Sequence, residues 1–144
     1  MFAPTLLAMV LVAAPLYAKA APEWIALEGS DSKTTFVNQV STDRHDQYVD
    51  VAVLRDFPEL ITLGNDSITD EPLYPHRSVT LNYKVDCAAN RLAMSEWQMF
   101  EGNLAHGKVI WHQKNIDGLA FVTAADSEMR AVLRVACATT TVSR

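Results

Sequence analysis

The sequence predicts an α+β fold, in which a single antiparallel β-sheet of about six strands carries a C-terminal α-helix on one face. Three observations favour this fold. Apolar and polar residues alternate over residues 77–87, and the apolar spacing becomes helical over residues 129–137. The chain's two cysteines, Cys87 and Cys137, occupy apolar positions of these two segments. A chain of 144 residues is long enough for one such hydrophobic core.

The segment 77–87 shows the clearest strand pattern. Val79, Leu81, Tyr83 and Val85 alternate with polar residues, and Cys87 follows in the same phase. This period of two predicts one packed face and one solvated face. Further strands are predicted from β-branched and aromatic residues, at 24–27, 34–40, 48–55, 59–63, 91–100 and 108–113.

The predicted strand 91–100 changes phase in its middle. Leu92 and Met94 are even-numbered apolar positions, whereas Trp97 and Met99 are odd-numbered ones. A β-bulge near Ser95 and Glu96 would bring both pairs to one face, because a bulge inserts one extra residue into a strand.

The C-terminal segment has helical periodicity. Its apolar residues are spaced at i, i+3, i+4, i+7 and i+8, and they are Met129, Val132, Leu133, Ala136 and Cys137. Asp126 and Ser127 are typical capping residues, and Glu128 suits the positive end of the helix dipole. Cys137 lies on the apolar stripe of this helix.

The N-terminus is typical of an export signal. An uncharged apolar run over residues 6–14 precedes the small-x-small site Ala18-Lys19-Ala20. Since this run is about half as long as a bilayer span, we predict a cleaved signal peptide at 1–20 and a mature domain at 21–144. A buried N-terminal helix is the alternative. The protein is expected in the periplasm or outside the cell. Because the sequence has no cysteine near the predicted cleavage site, a lipid anchor is not predicted.

Export determines the expected oxidation state of the two cysteines. An even pair in an oxidising compartment predicts one disulfide, Cys87–Cys137. The simplest geometry that places both on buried faces is a helix laid across the sheet and tied to it by this bond.

Charge and motifs argue against several classes of function. The net charge of −5 is unlike that of a nucleic-acid-binding protein. The sequence contains no nucleophile elbow, no phosphate-binding glycine loop and no C-x-x-C motif. His106 and His112 would lie about 20 Å apart on a straight strand, too far to share a zinc ion. We therefore predict no catalytic residue, metal or cofactor, and a hydrolase with scattered site residues is the alternative.

Several short motifs occur in an order that resembles the surface-adhesin protein E-like family. They are Trp24-x-x-Leu27, Phe36-Val37-Asn38, Val51-x-Val53-Leu54-x-Asp56, Arg77-Ser78, Tyr83-x-x-Asp86-Cys87, Arg91, Gly107-x-Val109 and a terminal helix with Cys137. The resemblance implies a small antiparallel sheet with a disulfide-linked C-terminal helix, exported in Gram-negative bacteria. It also implies a non-enzymatic module that recognises a protein, either a host or an envelope protein. A periplasmic accessory protein without an adhesive role is the alternative.

The candidate binding residues lie in the long polar connection before residue 77. Asp70 and Glu71 would attract a basic patch on a partner, and Tyr74 is a typical interface anchor. A solvated connector is the alternative. The three tryptophans, Trp24, Trp97 and Trp111, are expected in the core and not in a ligand platform. The protein is expected to be a monomer or a homodimer without a transmembrane segment.

Overall fold

The structure is a computed structural model that describes residues 24–27, 32–38, 44–45, 48–115 and 118–138. The predicted signal peptide, residues 1–20, lies outside these ranges and stays a prediction. Within them the chain forms strands β1 Trp24–Ala26, β2 Thr34–Asn38, β3 Arg44–His45, β4 Tyr48–Ile61, β5 His76–Asp86, β6 Arg91–Phe100, β7 Val109–Lys114 and β8 Val122–Thr123, then helix α1 Ser127–Ala138. A short 3₁₀ turn, Asn103–Ala105, lies between β6 and β7.

The described strands form one antiparallel sheet. Its order is β1-β2-β4-β5-β6-β7, with β3 beside β4 and β8 beside β6. Neighbours in the sheet are mostly neighbours in sequence, as is typical of antiparallel strands that short connections can join. The predicted fold class, with its C-terminal helix, is confirmed.

One face of the sheet supports α1. Paired residues on neighbouring strands share a face, so Val37, Val53 and Leu81 form one continuous apolar row. Val132, Leu133 and Ala136 of α1 belong to the same buried cluster. The helix begins as predicted, because the Asp126 carboxylate accepts a 2.7 Å hydrogen bond from the Met129 backbone N–H.

The predicted disulfide is confirmed. Cys87 and Cys137 are bonded, with their Cα atoms 5.7 Å apart and a separation of 50 positions in sequence. This Cα separation lies in the usual range for disulfides. The bond fixes the C-terminal end of α1 against the turn that follows β5.

The predicted bulge in β6 is also confirmed. Asn82 pairs with Glu96 and Tyr83 pairs with Met94, so Ser95 is the extra residue. The Ser95 hydroxyl donates a 3.0 Å hydrogen bond to the Asn82 carbonyl. Leu92 and Met99, which lie on opposite sides of the phase change, are both buried in the core.

The prediction of a separate strand at 59–63 is wrong. The segment continues β4, whose pairing with β5 is interrupted between Asp56 and Ile61. Pro58 lies inside this interruption and has no N–H to donate, so the ladder breaks there while the backbone stays extended. The two-residue strands β3 and β8 are too short to give a sequence pattern.

Candidate protein-binding surface

Residues 62–75, which we call the acidic loop, connect β4 to β5 as a small hairpin. The Leu63 N–H donates to the Leu73 carbonyl and the Leu73 N–H donates to the Gly64 carbonyl, both at 2.9 Å. Nearer the tip, the Asp66 N–H donates to the Glu71 carbonyl at 2.8 Å. Gly64 takes a φ of +105°, which side-chain-bearing residues rarely adopt. The connection is therefore held by its own backbone.

Asp66 organises the turn at the tip of the acidic loop. Its carboxylate accepts hydrogen bonds from the backbone N–H groups of Thr69, at 2.9 Å, and Ile68, at 2.8 Å. These backbone bonds lower the pKa of the Asp66 carboxyl from its ordinary value. An aspartate that bonds to the backbone two or three residues onward is typical of a tight turn. Asp66 thus has a structural role.

The predicted residues Asp70 and Glu71 lie just after this turn, and both are exposed. The backbone of Asp70 is left-handed, with a φ of 57°, and the Asn65 side-chain amide donates to its carboxylate at 3.0 Å. The Glu71 carboxylate has no hydrogen-bond partner among the described residues. Ile68, at the tip, is 92% exposed. The tip therefore presents an apolar side chain beside two carboxylates that are accessible to a partner.

Tyr74 lies at the base of the acidic loop, against strand β7. Its ring meets the Trp111 ring edge-on, with centroids 5.2 Å apart and an interplanar angle of 74°. Each of these residues is 38% exposed. The buried His76 donates from Nδ1 to the Tyr74 carbonyl at 2.7 Å, which fixes the backbone beneath the ring. The aromatic pair is therefore held in place, and its outer surface is exposed to solvent.

The predicted binding residues Asp70, Glu71 and Tyr74 all lie on the acidic loop, but at different positions along it. Glu71 and Tyr74 are three residues apart, so their Cα atoms are at most about 11 Å apart. Such a distance fits within one protein interface. The carboxylates lie near the tip and the tyrosine lies near the base.

Trp111 is an exposed aromatic residue that the sequence predicted to lie in the core. Trp97 packs against the core as expected, but Trp111 lies on β7, which pairs only with β6 among the described strands. An edge strand leaves its side chains partly uncovered. The available signal was the sequence V-I-W-H-Q-K of β7, which lacks the alternation of a half-buried strand.

A second polar cluster spans β5, β6 and β7 and is centred on Glu96. Burial acts to raise the pKa of Glu96, but hydrogen bonds from His112, Asn82 and Gln98, and the charge of Lys114, outweigh it and lower the pKa. His112 Nε2 lies 2.6 Å from the Glu96 carboxylate. Because these groups satisfy one another across neighbouring strands, the cluster stabilises the sheet.

Neither a metal site nor a membrane-spanning helix is found in the described part of the chain. No three His, Cys, Asp or Glu side chains there come close enough to hold a metal ion. No helix there has the length and apolar character needed to cross a bilayer.

Known protein structures share this fold. Haemophilus influenzae protein E is 16% identical, with a TM-score of 0.54 over 84% of this chain and 92% of that one. Protein E from non-typeable Haemophilus influenzae is 13% identical, with a TM-score of 0.53 over 90% of this chain and 83% of that one. Crystal form II of Haemophilus influenzae protein E is 14% identical, with a TM-score of 0.51 over 73% of this chain and 80% of that one.

The sequence supports the same relationship. No curated protein sequence matches the chain. Residues 24–138, which include every described strand and α1, match the family described as surface-adhesin protein E. The chain therefore belongs to the surface-adhesin protein E family.

Proposed function

We propose that the protein is an exported, non-enzymatic adhesin that recognises a protein partner through the acidic loop and Trp111. The single observation that carries this proposal is the exposed Tyr74–Trp111 pair, fixed at the base of a loop that presents two accessible carboxylates. Membership of an adhesin family supports a binding role, and the described residues hold no cluster of metal ligands.

The chemistry of the acidic loop suits a protein surface. Aromatic side chains contribute a large contact area at a low cost in conformational entropy and are enriched among residues that dominate binding energy. Ile68 adds apolar area at the tip. Since backbone hydrogen bonds already order the loop, little further order has to be imposed when a partner binds.

The charge of the loop indicates the kind of partner. Asp70 and Glu71 would attract a basic patch over a distance of about one Debye length, which is about 8 Å at physiological salt. Electrostatic attraction of this kind raises the association rate constant more than it slows dissociation. We therefore expect a partner with a basic patch, and association that slows as salt is added.

The proposal places the protein in the periplasm or outside the cell. It rests on the predicted signal peptide at 1–20 and on the disulfide, which forms in oxidising compartments. N-terminal sequencing of the exported protein should give Ala21 as the first residue, and a product that retains Met1 would contradict export by this signal.

Binding kinetics test the proposed surface. The mature protein is presented to a panel of purified extracellular-matrix proteins and, separately, to the cell's own envelope extract. For whichever protein binds, Asp70→Asn with Glu71→Gln should lower the association rate constant, and Tyr74→Ala should raise the dissociation rate constant. Asp50→Asn is the matched charge control, because Asp50 pairs with Lys84 on the sheet at 3.0 Å and lies outside the loop.

The outcomes of this experiment separate the alternatives. A host protein that binds the wild type and binds the loop variants more weakly supports adhesion through the acidic loop. A partner found only in the envelope extract would favour an accessory role in the envelope. Equal binding by wild type and loop variants would contradict this placement of the site.

A further inference from the structure

A cleft of about 330 Å³ lies between α1 and the turn after β5. Its lining residues are Cys87, Asn90, Arg130, Leu133, Arg134 and Cys137. Leu133 is 4% exposed and supplies an apolar floor together with the disulfide. The two arginines and the asparagine supply the polar part of the lining. The cleft therefore combines a rigid apolar base with hydrogen-bond donors.

The two arginines of this cleft are neighbours on α1. Arg130 and Arg134 are four residues apart, a spacing that brings side chains together on one side of a helix and makes like charges repel. Neither forms an ion pair with any residue in the described ranges. Arg130 donates one hydrogen bond, to the Ala125 carbonyl at 3.3 Å, which leaves most of its guanidinium available.

Several other cations of the described chain have a carboxylate partner, whereas Arg77 donates to the Pro58 carbonyl and Lys108 forms no ion pair within the described ranges. Each of five lies within salt-bridge distance of a carboxylate, and these are Lys33, Arg55, Lys84, Arg91 and Lys114. Arg91, the residue after Asn90, also lies over the Phe121 ring, 5.9 Å from its centroid. In a chain with a net charge of −5, two arginines on one side of α1 without a carboxylate partner among the described residues mark a local excess of positive charge.

We propose that this cleft binds a phosphomonoester group. Two guanidinium groups present planar sets of N–H donors that match phosphate oxygens, and a dianion neutralises both positive charges, whereas one carboxylate neutralises only one. The Asn90 side-chain amide offers a further donor, and Leu133 contacts the carbon to which the phosphate is attached. The phosphomonoester belongs either to a lipid headgroup or to a soluble metabolite.

Two binding measurements on the full exported chain test this site. Glycerol phosphate is titrated in a calorimeter, and phosphatidylcholine vesicles with and without phosphatidic acid are tested by flotation. Arg130→Gln with Arg134→Gln should weaken binding on the order of tenfold or more. Arg134→Lys should bind at an intermediate level, since it keeps the charge but loses the planar donor set. Lys108→Gln is the matched control, because Lys108 is an exposed cation of the β6–β7 connection.

Each outcome decides for or against the site. Binding of glycerol phosphate that the double variant loses assigns a soluble ligand, and binding only of vesicles with phosphatidic acid assigns a lipid headgroup. Equal binding by the double variant, an equal loss in Lys108→Gln, or no binding of either probe would overturn the proposal. Unfolding temperatures are measured for every variant, and Arg134→Gln alone replaces the double variant if the latter does not fold.

Discussion

Helix α1 and the acidic loop are both ordered by specific contacts. The contacts of α1 join residues far apart in sequence, whereas those of the acidic loop join residues close together in sequence. The disulfide joins the end of α1 to a cysteine fifty residues away. At its start, Glu128 accepts from Lys33 Nζ at 2.6 Å, Thr35 Oγ1 at 2.9 Å and Arg55 Nε at 2.7 Å. These partners are 95, 93 and 73 residues away in sequence. The acidic loop is ordered mainly by hydrogen bonds among residues 63–73.

The difference assigns separate physical roles to the two regions. Contacts between residues far apart in sequence exist only in the folded chain, so removing them lowers the free energy of unfolding. Local contacts can persist or break without affecting the rest of the sheet, because the acidic loop buries few apolar side chains. We therefore expect substitutions at α1 to change stability and substitutions in the acidic loop to change binding.

The largest expected effect is loss of the disulfide. Cys137→Ser should lower the free energy of unfolding by about 4 kcal/mol, because closing a loop of this length removes much of the unfolded chain's entropy in the chain-entropy model. Urea unfolding measures the change, and limited proteolysis should show earlier cleavage within α1. An unchanged unfolding midpoint under reducing conditions would contradict the role given to this bond.

A smaller loss is expected when the start of α1 is released. Glu128→Gln should lower the free energy of unfolding by about 2 kcal/mol, because hydrogen bonds from two cations to a half-buried carboxylate are replaced by weaker ones. Glu59→Gln is the matched control, since Glu59 is an exposed carboxyl on β4. Equal stability of the two variants would show that the Glu128 contacts contribute nothing measurable.

The same carboxylate should make stability depend on pH. Burial acts to raise the pKa of Glu128, but hydrogen bonds from Lys33 and Arg55, and the charge of Arg55, outweigh it and hold the pKa below its ordinary value of 4.5. The unfolded state therefore binds more protons, so this stabilisation is complete above pH 4.5 and is lost as the pH falls through the folded-state pKa. Urea unfolding at a series of acidic pH values should show a smaller loss in Glu128→Gln than in the wild type.

The smallest effect on global stability is expected at the tip of the acidic loop. Asp66→Ala removes the acceptor for the Ile68 and Thr69 N–H groups. Hydrogen exchange at these two amides should become faster, while the unfolding temperature stays close to that of the wild type. A large drop in unfolding temperature would mean that the loop is coupled to the core and that the two regions are not independent.

The sequence predicted those features that depend on periodicity over several residues. The alternation in 77–87, the helical spacing after residue 127 and the phase change at Ser95 each survive in the structure, because burial on one face imposes them directly. The pairing of Cys87 with Cys137 followed from an even count in an exported chain. The three periodic patterns are local in sequence, and each has one physical cause.

Features that arise from three-dimensional proximity were not predicted. The partners of Glu128 lie more than seventy residues away, so no local pattern relates them to the helix start. Trp111 was expected in the core, but its position on an edge strand leaves it partly exposed beside Tyr74. Pro58 interrupts the pairing of β4 without ending the strand, which made one strand resemble two.

One measurement tests the separation of binding from stability most directly. The variant Asp70→Asn, Glu71→Gln, Tyr74→Ala is compared with the wild type for both its unfolding temperature and its binding to the extracellular-matrix protein that the wild type binds. The account predicts an unfolding temperature within a few degrees of the wild type and a loss of most of the binding. Wild-type affinity in this variant, or a loss of binding accompanied by unfolding, would contradict the account.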